Sequence, residues 1–63
     1  MPVKNKIMQH LRDIKIAAKA IDIAQAIGED ERAVQDVLLE LDDADMVIMR
    51  NGWSLASHKG MQA

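Results

Sequence analysis

The 63-residue chain has no cysteine, no phenylalanine, no tyrosine, one tryptophan, one proline and three glycines. Without cysteine there is no disulfide scaffold, no thiolate metal site and no thiol nucleophile. Three isolated glycines (Gly28, Gly52, Gly60) cannot make a phosphate-cradling loop, so a nucleotide-hydrolysing site is not expected. No apolar run is longer than Met46–Met49, which excludes a membrane-spanning helix. The opening Met-Pro-Val-Lys-Asn-Lys is followed by no apolar leader core, so a secretory signal is not expected either. A small disulfide-free domain suits a reducing interior, and a cytoplasmic location is the expectation.

Catalytic chemistry is equally sparse. His10 and His58 are the only histidines, with no Cys and no Glu placed at metal-ligand spacing to either. Ser54, Ser57 and His58 form no nucleophile, base and orienter set. The expectation is a non-enzymatic chain with no cofactor and no metal.

The composition that remains, 49% hydrophobic and 29% charged, is that of an ordinary globular domain. At this length one domain is expected, burying about 60% of the surface its unfolded chain exposes, which leaves little room for a deep cavity. The net charge of −2 conceals a strong asymmetry. Residues 1–19 carry Lys4, Lys6, Arg12, Lys15 and Lys19 against Asp13 alone, whereas residues 20–45 carry nine acids against Arg32. Arg50 and Lys59 follow. A polyanionic partner would have to meet the basic part and avoid the acidic middle.

Periodicity predicts three helices and a hairpin. Val3, Ile7, Met8, Leu11 and Ile14 recur every three or four residues, giving a first helix over about residues 3–13. Residues 14–18 read as a connector able to pair briefly with a later strand, because Ile14, Ile16 and Ala18 alternate with Lys15 and Ala17. A second helix runs from Ala20 to about Ile27, with Ile23, Ala24 and Ile27 inward, and Gly28 takes the left-handed position that ends it. A third helix starts after the N-cap Asp30, with Glu31 in its first turn and Val34, Val37, Leu38 and Leu41 as its buried stripe. Asp42-Asp43-Ala44-Asp45 opposes the macrodipole and should end it. Met46–Arg50 and Trp53–Ala56 flank Asn51-Gly52, the strongest short-range signal for a two-residue hairpin turn. Ser57–Ala63 reads as a flexible C-terminal tail after a domain spanning residues 1–56. Met8, Met46 and Met49 read as core filler, and Trp53, the lone aromatic residue, is expected to cap the core.

The fold class is thus mainly α with a small β-hairpin, in the element order of a winged helix-turn-helix. Lys19-Ala20-Ile21-Asp22-Ile23-Ala24-Gln25-Ala26-Ile27-Gly28 resembles the second helix and turn of winged-helix transcription regulators. Val34, Leu38 and Leu41 resemble their third helix, and Ala44-Asp45-Met46-Val47 the approach to their wing. In length, in its Ile-Ala pair and in its leucine-rich third helix the chain is similar to the small one-domain regulators of fimbrial operons, the PapI-like proteins. It departs from the superfamily at Asp45, where glycine is usual, in its two-residue wing turn, and in its lack of aromatic and basic residues on the third helix.

The resemblance implies a DNA-binding transcription-regulatory module that sets the third helix against the major groove of double-stranded DNA. Arg32 and Gln35 would then face base edges, as donors suited to guanine and adenine. Lys4, Lys6, Lys19 and Arg50 would meet phosphate. Against this stand Glu31, Asp36 and Glu40 on the same helix face, where Arg32 could simply pair with Asp36 in solvent. Leu39 also falls on that exposed face. Asp36, Leu39 and Glu40 therefore define the alternative, a protein-interaction adaptor that docks a protein co-regulator or a second copy of the chain as a homodimer.

Overall fold

The computed structural model describes residues 2–62. Met1, at the start of the expected 1–56 domain, and Ala63, at the end of the expected tail, lie outside the described residues. Four helices and three strands follow in the order α1 (Val3–Ile14), β1 (Ala18–Lys19), α2 (Ala20–Ile27), α3 (Glu31–Asp43), β2 (Val47–Arg50), β3 (Trp53–Ala56) and α4 (His58–Gln62). The strands form an antiparallel sheet in the order β1-β3-β2. The molecule is thus mainly helical with a small three-stranded antiparallel sheet, and among the described residues no helix is long and apolar enough to cross a membrane.

The expected stripes meet in one core. Ile7, Met8 and Leu11 from α1 pack with Ile23 and Ala24 from α2 and with Val34, Leu38 and Leu41 from α3. Ala18, Val47 and Ala56 close the core from the sheet side, while Met46 and Met49 are only partly buried against it. The connector contributes the two-residue strand β1, pairing Ala18 with Ser54 and Lys19 with Trp53. Ile16, part of the alternating connector, lies in the loop before that strand and is exposed.

Helix ends follow local chemistry. The Asp30 carboxylate accepts from the Arg32 and Ala33 amides at 3.0 and 3.3 Å, capping α3. Gly28 takes a left-handed φ of 72° between α2 and α3. Asn51 and Gly52 both have positive φ, as a primed two-residue turn requires.

Asp45, on the approach to β2, is left-handed at φ 61°. That conformation costs an L-residue roughly 1–2 kcal/mol, somewhat less for Asp. The carboxylate also sits just past the C-terminus of α3, where the macrodipole disfavours negative charge. Asp45→Gly should therefore raise stability by about 1 kcal/mol, even after the greater freedom of glycine in the unfolded chain. Its backbone carbonyl still accepts from Ser57 Oγ. Urea denaturation checks this: a midpoint equal to or below the parent's contradicts it.

Two expectations are corrected. Over Ser57–Gln62 the chain is not a frayed tail: His58–Gln62 is helical and seated on the body. Ser57 Oγ caps this helix by accepting from the Gly60 amide at 3.0 Å, and the Ser57 amide bonds Met46 O at 3.0 Å. Arg12 Nε donates to Gly60 O at 2.8 Å, and Lys59 Nζ donates to Ala44 O at the end of α3. A five-residue helix is too short to be stable alone, so these tertiary contacts hold it.

Trp53, expected to cap the core, is 44% exposed. The two-residue turn sets Arg50 opposite Trp53, and β1 sets Lys19 opposite it on the other side. Cross-strand partners share a face. Trp53 could turn inward only by burying two cations, so the alternation puts Ser54 and Ala56 inside instead. Ser54 Oγ thereby becomes a buried hydroxyl with no hydrogen-bond partner among the described residues, a loss typically worth about 1–3 kcal/mol.

Candidate functional site

The outer face of the sheet carries a row of three side chains, one from each strand: Lys19, Trp53 and Arg50. All three are exposed. Strands lie about 4.8 Å apart, so the two cations flank the indole within roughly 10 Å. Lys19 Nζ stands 5.1 Å from the Trp53 ring centroid, within cation–π range. Beyond this row, away from the turn, Ile48 and Leu55 continue the same face, with Ile48 49% exposed. A flat aromatic surface with a cation on either side can stack on a planar group and neutralise neighbouring negative charge.

On the other side of the hairpin, a groove of about 280 Å³ lies between the start of α2, the outer face of α3 and the strands. Gln35 and Leu39 line it from α3, with Met49 and Ser54 from the sheet. Leu39 is 57% exposed.

The expected residues do not form one patch. Lys19 and Arg50 share the sheet row. Lys4 borders a different groove, with Leu41 and Ala44 from the far end of α3 and Met46 from the loop that enters β2. Lys6 is engaged by Glu29 in the turn between α2 and α3, Nζ to carboxylate 2.8 Å, in a half-buried pair. Gln35 lines the second groove and donates to Glu31 at 3.3 Å. Arg32 is exposed, and its side chain has no ion pair or hydrogen bond among the described residues, so the pairing with Asp36 does not form. Asp36 and Glu40 are exposed on α3. Its solvent face thus presents carboxylates around one free guanidinium.

Sequence reasoning missed Trp53 as a surface residue and Ser54 as an orphan hydroxyl. The signal for Trp53 was available, because the Asn51-Gly52 turn already places it opposite Arg50. Among the described residues no group of three or more His, Asp and Glu side chains could hold a metal ion. His58 Nε2 is paired with the Gln62 amide at 3.0 Å. Comparison of the chain with known protein families, with curated proteins and with solved structures finds no match.

Proposed function

We propose that this chain is a small winged-helix module that binds double-stranded DNA chiefly through its sheet, as part of transcription regulation. The observation that carries this reading is the row Lys19–Trp53–Arg50. Two cations on adjacent strands supply the phosphate attraction that dominates DNA affinity. The indole between them supplies a surface for sugar or base edges. The element order, the three-residue turn between α2 and α3, and the pairing of β1 with β3 support the winged-helix assignment. The acidic surface of α3 opposes deep insertion of that helix into a major groove. Arg32, at its first turn and with no side-chain partner among the described residues, is the one α3 cation able to assist. Lys4 and Lys6 take no part in this reading.

Trp53 is the only tryptophan, so its fluorescence reports on the row directly. Titration with a short duplex at low salt should change its emission saturably, and raising the salt should shift the midpoint to higher DNA concentration. An unchanged emission at low salt, where charge attraction is strongest, refutes the proposal.

The adaptor reading rests on Leu39. A largely exposed leucine ringed by Asp36 and Glu40 suits a basic protein partner. Leu39→Asp would abolish such a contact and leave the tryptophan titration unchanged.

A further inference from the structure

The groove behind the hairpin has a property that the sheet row does not explain. Its walls are apolar, formed by Ala20, Leu38, Leu39 and Met49, and among the described residues no charged one lines it. Ser54, on its lining, is 1% exposed, and its hydroxyl has no partner among the described residues. Buried polar groups in folded proteins are almost always paired, so an orphan hydroxyl in a groove wall invites a ligand atom. The inward neighbours of Ser54 on the sheet, Ala18 and Ala56, show that a methyl group fits this layer. Packing alone therefore gives no reason for a hydroxyl here.

We propose that this groove binds a small, neutral organic molecule with an apolar body and one hydroxyl-type group, which hydrogen-bonds Ser54 Oγ. The volume of about 280 Å³ falls just below the roughly 300–1,000 Å³ typical of ligand pockets, which restricts the ligand to about one ring. The uncharged lining disfavours phosphates, nucleotides and amino acids, whose charges would lose hydration without gaining a partner. Gln35, at the rim, offers a second polar contact. Met49 stands directly opposite Ser54 on β2. Its unbranched thioether can change rotamer to admit the ligand oxygen. The site is independent of the DNA reading, because no residue of the sheet row lines it.

Phenol and toluene, nearly equal in size and differing in the hydroxyl, are suitable probes. Titrated at millimolar concentration into ¹⁵N-labelled protein, phenol should give saturable amide shifts centred on Gln35, Leu39, Met49 and Ser54. Ser54→Ala should weaken phenol binding about tenfold, the loss of one buried hydrogen bond, and leave toluene binding unchanged. The variant removes an unsatisfied group, so its melting temperature should be no lower than the parent's, which confirms that it folds. The absence of saturable shifts at these amides overturns the proposal. So does equal phenol affinity in parent and variant.

Discussion

Gly60→Ala lowers the stability of this domain by about 1–3 kcal/mol, the usual effect of forcing a methyl group into filled space. Helix propensity alone predicts the opposite sign, because alanine is favoured over glycine inside a helix by about 1 kcal/mol. The packing decides. A Cβ on Gly60 would overlap the Met46 carbonyl oxygen and lie 2.9 Å from Met8 Cε. The methionine tip can move, but the carbonyl cannot, since it accepts the Ser57 amide and belongs to the chain entering β2. Helix α4 must therefore lift, and with it goes the Arg12–Gly60 hydrogen bond that ties it to α1. Domains of this length have about 3–9 kcal/mol in total, so the melting temperature should fall by roughly 10 °C. Thermal unfolding followed by circular dichroism measures this. A melting temperature equal to or above the parent's would mean that α4 is not seated as described.

The first three helices and the hairpin were legible in the sequence because each is specified locally. A 3.6-residue apolar period, Asp30 as a cap, Gly28 as a stop and Asn51-Gly52 as a turn are signals confined to a few neighbouring residues. The last helix was not legible. His58-Lys59-Gly60-Met61-Gln62 has no apolar period and a glycine at its centre. Ser57 caps it locally, but what holds it in place is distant: Arg12 is 48 residues away and Met46 supplies the surface against which Gly60 packs. Trp53 failed for a related reason. Size and hydrophobicity argue for burial, but register overrides them, because Lys19 and Arg50 occupy its two cross-strand positions. For the candidate site, Lys19 and Arg50 were identifiable as cations from the sequence. That they share a row required the pairing of β1 with β3, which two residues and an alternating connector only hinted at. The diversion of Lys6 to Glu29 was invisible, since nothing in the spacing brings α1 to that turn.

Replacing both Lys19 and Arg50 by glutamine should reduce the slope of log affinity against log salt for a DNA duplex by about 2, one unit for each phosphate that is no longer neutralised. At low salt the affinity itself should fall by about two orders of magnitude, roughly tenfold for each cation removed. Neither side chain enters the core, so the fold should persist, and an unchanged circular dichroism spectrum verifies it. Two control variants locate the footprint. Lys4→Gln should leave the slope unchanged, because Lys4 lies beside Leu41 and Met46 and not on the sheet row. Arg32→Gln separates the two ways this fold could meet DNA. In the sheet-centred mode Arg32 is an assistant, and its loss reduces the slope by no more than about 1 at every DNA sequence. In a helix-centred mode the guanidinium would read a base edge, so its loss would cost about 1–3 kcal/mol at the preferred sequence and little elsewhere. The acid-flanked surface of α3 favours the first outcome. Each carboxylate brought near a phosphate opposes the counterion release that drives binding, whereas the sheet row brings none. A slope unaffected by the double variant, together with a large sequence-dependent loss at Arg32, would move the interface from the sheet to α3.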